Sequence, residues 1–112
     1  MNTTRVIMRE LSAHPSEVLS WGLSQFRILQ GDTGIIFHVQ GYKFNGWVKV
    51  VYDEGADLFN IIFLSNDSKT IEEKKGIYLD ELVNTIDEYV EKTSDYNERI
   101  QNQYRVVVLS QV

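Results

Sequence analysis

Gly34-Ile35-Ile36-Phe37-His38-Val39-Gln40, Trp47-Val48-Lys49-Val50-Val51-Tyr52 and Leu58-Phe59-Asn60-Ile61-Ile62-Phe63-Leu64 are three apolar runs that follow one another closely in a chain of 112 residues. Gly41-Tyr42-Lys43-Phe44-Asn45-Gly46 separates the first two, and Asp53-Glu54-Gly55-Ala56-Asp57 the second two. Runs of this length, rich in β-branched and aromatic residues and bounded by Gly, Asn and Asp, read as strands of an antiparallel meander. Side chains alternate across a strand, so Ile35, Phe37 and Val39 share one side, as do Val48, Val50 and Tyr52, and Phe59, Ile61 and Phe63. Aligned, these sets make a wholly apolar face that has to be covered. The opposite face mixes Ile36, His38, Trp47, Lys49, Val51, Leu58, Asn60, Ile62 and Leu64. A slip of one residue exchanges the two faces, so the apolar sets pin the register.

Outward from this centre, Gln25 to Gln30 sets Phe26 and Ile28 against Gln25 and Arg27, the pattern of a half-buried strand. Gly31-Asp32-Thr33-Gly34 is a turn by composition, because Gly tolerates positive φ and Asp bonds its own backbone. A fourth strand pairing with the Ile35 run is therefore expected. Pro15 suits the first position of a short helix over about 15–22, with Glu17 in its first turn and Val18, Leu19, Trp21 and Leu23 as a stripe. Residues 1–12 fit a helix or a strand. On the other side, Asn66 to Lys75 is mostly polar and reads as a solvated loop. Leu79, Leu82, Val83, Ile86 and Val90 then recur at helical spacing, predicting a helix over about 79–92 that covers the apolar sheet face. Tyr96 and Ile100 suit one side of a second short helix, and Tyr104-Arg105-Val106-Val107-Val108-Leu109 reads as a terminal strand that either joins the sheet edge or packs on the mixed face and covers it.

The expected class is α+β: an antiparallel meander of three to four strands on a C-terminal amphipathic helix, with a short N-terminal helix and a C-terminal strand. Length predicts one domain over 1–112, its core at about 15–92 and an extension at 93–112. The chain has no cysteine, which excludes disulfides and thiol chemistry. No apolar run approaches the roughly 18 residues of a membrane span. The N-terminus lacks the pattern of a secretory leader, so a cytoplasmic protein is expected.

A formal net charge of −5 argues against a duplex-binding surface. Seven acids and one base fall between Asp80 and Glu98, a net of −6, and the rest of the chain nets +1. The acidity thus belongs to one region, and Asp87, Glu88 and Glu91 of the predicted helix lie outside its apolar stripe. Tyr42-Lys43-Phe44-Asn45-Gly46-Trp47-Val48-Lys49 interleaves aromatics with lysines as single-strand platforms do, but two lysines make no basic track. His14 and His38 are isolated, without metal-ligand spacing. No phosphate-cradling glycine loop occurs, and the turn acids lack the ligand order of an EF-hand. No cofactor, metal or small-molecule ligand is indicated, and no nucleophile–base pair.

Gly76-Ile77-Tyr78-Leu79-Asp80-Glu81-Leu82 resembles the Gly-Val-Tyr-x-Asp-x-Leu helix start of small uncharacterised proteins from bacteria and their phages, with Ile77 in place of Val. Asp57-Leu58-Phe59 stands where those sequences carry an Asp-x-Tyr/Phe step, and the similarity covers about residues 9–92. The resemblance implies an α-β-β-β-α order and no established activity, so it lends no residue a role. The function expected is that of a non-catalytic interaction or regulatory module, binding a protein partner or itself. Its candidate contact residues are Trp47, Val51, Ile62 and Leu64 on the mixed sheet face, and Asp87, Glu88 and Glu91 on the acidic helix. The rival expectations are an enzyme built on dispersed carboxylates such as Asp53, Glu54 and Asp57, and a phage or plasmid inhibitor of a basic host factor.

Overall fold

The computed structural model describes residues 2–91. Helices α1 (Thr3–Ser12) and α2 (Pro15–Ser20) lead into β1 (Ser24–Ile28), β2 (Gly34–Gln40), β3 (Asn45–Asp53), β4 (Leu58–Leu64) and β5 (Thr70–Ile77). A single 3-10 turn at Leu79–Glu81 then opens α3 (Leu82–Val90). The five strands pair in sequence order, every neighbour antiparallel. The fold is α+β, as the alternation predicts, and the register matches the apolar sets: Phe37 opposes Val48, Val48 opposes Phe63, and Val50 lies between Ile35 and Ile61.

All three helices lie on one face of the sheet. Ile35, Phe37, Val39, Val48, Val50, Ile61 and Phe63 are fully buried there, against Ile7 and Leu11 of α1, Trp21 at the end of α2, and Leu82, Val83, Ile86 and Val90 of α3. Phe63 stacks on Tyr89 at 3.9 Å between ring centroids and meets the edge of Phe44.

Several expectations need correction. The choice left open for the N-terminal segment resolves as a helix over Thr3–Ser12, since Thr3, Ile7 and Leu11 fall on one buried stripe four residues apart. The core therefore begins at Thr3 rather than near residue 15. Thr70–Ile77 is not a loop but a fifth strand, so the meander exceeds the three to four strands expected. It is an edge strand, and its Glu72, Glu73, Lys74 and Lys75 place charge on both of its sides, which erases the apolar alternation. The final helix is shorter than 79–92, because Leu79–Glu81 forms a tighter turn before it. Ile28 lies 59% exposed on short β1, which a register shift between Ser24 and Arg27 bends away. The helix at Tyr96–Ile100, the strand at Tyr104–Leu109 and the 93–112 extension lie outside the described residues.

Two loops lock the helices down. Asp32 sits in the left-handed region (φ 55°) of the tight turn before β2 and caps α1 from a distance. Its carboxylate accepts the backbone N–H groups of Thr3 and Thr4, each at 2.9 Å, and the Thr4 hydroxyl. At the other end, the β2–β3 loop caps α3. Lys43 and Phe44 donate their backbone N–H groups to the Val90 carbonyl, and Lys43 Nζ donates to the Glu88 carbonyl at 2.5 Å. A helix leaves its last four carbonyls without partners, and a cation beside them is favourable. The approach is close enough that a Cβ on Gly41 would lie 2.3 Å from a methyl of Val90 and 2.5 Å from its carbonyl oxygen, so this position takes only glycine.

Two outcomes follow for stability. Phe63→Ala removes a fully buried ring and should cost about 3–5 kcal/mol, read as a clear fall in the denaturant midpoint. Bonds from Thr4, side chain first, and from the Thr3 backbone hold the Asp32 carboxyl below its ordinary value of 3.8. A depressed folded pKa contributes stability that is present above the unfolded carboxylate range and lost as pH falls below it. Asp32→Asn should therefore be less stable than wild type at pH 7, and the gap between the two midpoints should narrow as the pH is lowered through 3.8.

Candidate interaction surface

With every helix on one side, the other face of the sheet is left uncovered by any described residue. Its residues stand in rows across the strands. Arg27, Ile36, Lys49, Ile62 and Glu73 pair in succession from β1 to β5. Ser24, His38, Trp47, Leu64 and Thr70 form the next row, and Gly34, Val51 and Asn60 a third. Ile36, Trp47, Val51, Leu58, Ile62 and Leu64 are half-buried by one another. They form an apolar field across three strands.

Its polar members have specific tasks. His38, 8% exposed, meets Trp47 edge-on at 4.9 Å between centroids. His38 Nε2 and Asn66 Oδ1 are 2.7 Å apart, while Asn66 Nδ2 donates to Asn45 Oδ1 at 3.3 Å. With the amide so oriented, Nε2 is the donor, and Nδ1 is buried without a hydrogen-bond partner among the described residues. The histidine thus tethers the β4–β5 turn to the sheet. Arg27 lies over the Trp47 ring, its guanidinium carbon 5.8 Å from the centroid. Among the described residues, neither Arg27 nor Lys49 has an acidic side chain within ion-pairing distance. Glu73 has a loose pairing with Lys75 at 4.0 Å.

The structure separates the candidate contact residues. Trp47, Val51, Ile62 and Leu64 lie together on the open face, as the alternation places them. The acidic helix is different. Asp87 is not on a solvated face: it is 6% exposed and accepts the Trp21 indole N–H at 2.9 Å. Glu91 Oε2 accepts the Tyr42 backbone N–H at 2.6 Å, which ties it to the β2–β3 loop. Glu88 is exposed, with Asp80 and Glu81 exposed on the preceding turn.

Asp53, Glu54 and Asp57 lie exposed at the β3–β4 hairpin. Asp53 Oδ1 accepts the Ala56 N–H, and Asp57 Oδ1 accepts the Tyr52 hydroxyl at 2.5 Å, which raises the Tyr52 pKa above 10.0. Asp53 and Asp57 thus serve the turn, Glu54 lines a polar hollow with Asp32 and Tyr52, and the three do not converge in an apolar pocket. Among the described residues, no three of His, Asp or Glu are grouped to hold a metal ion, and no helix is long and apolar enough to cross a membrane.

A second apolar surface is a groove of about 590 Å³ between α1, α2 and β1, lined by Met8, Leu11, Val18, Leu19, Leu23 and Phe26 among others. Leu19 on its rim is 81% exposed. The groove lacks convergent polar groups of the kind that orient a small ligand. Nothing in the spacing of residues 1–12 marks it, since it exists only once those residues are helical. Arg27 over Trp47 is equally invisible in sequence, because the shifted register of β1 brings the two together. The chain matches no protein-family model, no curated protein and no solved structure.

The two tryptophans make the open face measurable. Trp21 is fully buried, whereas Trp47 is half-buried on the uncovered face. Acrylamide should quench a substantial part of the wild-type emission, and Trp47→Phe should abolish that accessible part and leave a blue-shifted, protected Trp21. Equal protection of both indoles would mean that the face is covered.

Proposed function

We propose that the chain is a non-catalytic interaction module that acts through protein–protein contact on the outer face of its sheet. One observation carries this reading: the described helices all pack on one side, and the other side presents Ile36, Trp47, Val51, Ile62 and Leu64 as an apolar field interrupted at Lys49. Contiguous exposed apolar surface is costly for a monomer to keep and commonly marks an interface. The centre of the field has the makings of a hot spot, a tryptophan with an arginine on its face. Both sheet edges are guarded, β1 by its shortness and shifted register, β5 by its run of charges, which favours contact through the face over strand addition.

The exposed acids Asp80, Glu81 and Glu88, on the opposite side of the molecule, add a field that speeds or selects association without supplying the contact itself. A chain without cysteine needs no oxidising compartment, which accords with a cytoplasmic setting.

Sedimentation over a range of concentrations and at two salt levels, followed by retention of proteins from a bacterial lysate, tests the reading. Wild type should associate, with itself or with a retained protein. Ile62→Glu should abolish that association and still unfold cooperatively. A wild-type monomer that retains nothing, or an association indifferent to Ile62→Glu, would leave the outer face without a function.

A further inference from the structure

We infer that the partner of the outer face is a second copy of this chain, docked face to face about a twofold axis that runs parallel to β3. This rests on the reading of the outer face as a contact surface and adds the occupant and its geometry.

Sheets stacked face to face keep their strands within about 30° of each other. In a five-stranded sheet ordered β1 to β5, β3 is the middle strand. An axis parallel to it lays β1 of one copy over β5 of the other, and β2 over β4. In the row that crosses all five strands, Arg27 then faces Glu73 of the second copy, and Ile36 faces its Ile62. Trp47 and Val51 each meet their own counterparts at the centre. Arg27 has no acidic partner within its own chain among the described residues, and the pairing of Glu73 with exposed Lys75 is loose, so the exchange costs only the contact of Arg27 with the Trp47 ring, which Trp47 replaces with its own counterpart. The alternative axis, perpendicular to the strands and through the same row, sets Arg27 against Arg27 and Glu73 against Glu73. Charge selects the first arrangement.

The same symmetry brings Lys49 onto its own counterpart. Lys49 is half-buried between Ile36 and Ile62, so two ammonium groups approach each other in the middle of the interface. This is the arrangement's one unfavourable contact, and it has a measurable consequence. The area sets the scale: strands about 4.8 Å apart and some six residues long at about 3.4 Å each make a field roughly 20 by 20 Å. Two such fields bury about 800 Å², below the roughly 1,200 Å² at which stable specific interfaces begin, so the dimer is a transient, weak one.

Sedimentation equilibrium from micromolar to millimolar protein provides the test, with unfolding midpoints confirming that each variant is folded. Wild type should shift from monomer to dimer within this range. Arg27→Glu and Glu73→Arg should each weaken the dimer at least about tenfold, and the double variant, which rebuilds both pairs with the signs exchanged, should restore it. Lys49→Met should tighten it several-fold. A wild-type monomer at every concentration overturns the inference, and lysate retention then decides the broader reading by itself. Self-association that Ile62→Glu abolishes, but that ignores Arg27, Glu73 and Lys49, also overturns the proposed axis while preserving the outer face as the contact surface.

Discussion

The hydrogen bond from the Trp21 indole to Asp87 holds the helical layer together. The two residues are 66 positions apart, both buried, and the bond joins the end of α2 to the middle of α3. The indole also stacks parallel on Phe37 of the sheet at 6.3 Å, so one side chain touches helix and sheet at once. Helix α2 buries none of its own six residues fully, and Trp21 at its C-terminal end anchors it. A buried carboxylate deprived of a donor loses about 1–3 kcal/mol, and removing the ring would add a cavity. The orientation of α3, and with it the closed side of the sheet, depends on this contact.

That dependence explains why the sequence misleads at Asp87. Periodicity sorts residues by hydropathy, and an acid between Ile86 and Glu88 is assigned to water. An indole N–H arriving from a distant segment stabilises its burial, and no local pattern encodes that arrival. The strands β2, β3 and β4 were legible for the opposite reason, since their apolar sets carry both the element and its register. Strand β5 was not, because an edge strand gains by looking like a loop: charges on both its sides prevent further pairing and hide its period. Helix α1 was ambiguous because Val6 and Ile7 are adjacent, and its distant cap, Asp32, comes from the turn before β2. Of the candidate contact residues, the four in strands kept the face predicted for them. Of the three acids, one is buried and one is engaged by backbone.

Both ends of the helical layer are fastened by the turns of the sheet. Asp32 draws the start of α1 to the β1–β2 turn, and the Lys43 and Phe44 amides draw the end of α3 to the β2–β3 loop. The polar groups that helices leave unpaired are thus satisfied by the sheet's own connections, all on one side. Among the described residues no helix is fastened across the other face, where only the β4–β5 turn is tethered, through His38 and Asn66. The described residues thus make a covered face and an uncovered one, and the asymmetry follows from the capping as much as from the apolar pattern.

An open apolar face in a chain that must stay dispersed requires restraint, and the residues on it supply that restraint in graded form. Arg27 covers one side of the Trp47 ring while leaving the ring's edge to His38, so the largest side chain of the field is half-shielded without being sealed. Lys49 breaks the field between Ile36 and Ile62 with a charge on a long apolar stem, which covers carbon surface and keeps its head in water. A wholly aliphatic face of this size would bind indiscriminately. Under the proposed reading, one that carries cations among its apolar residues favours a surface that brings carboxylates with it, and Glu73, at the far end of the same row, is such a carboxylate. The groove beside α1 has no comparable polar feature and so nothing with which to choose an occupant. That difference in selectivity, rather than apolar area, is why the contact is proposed for the sheet.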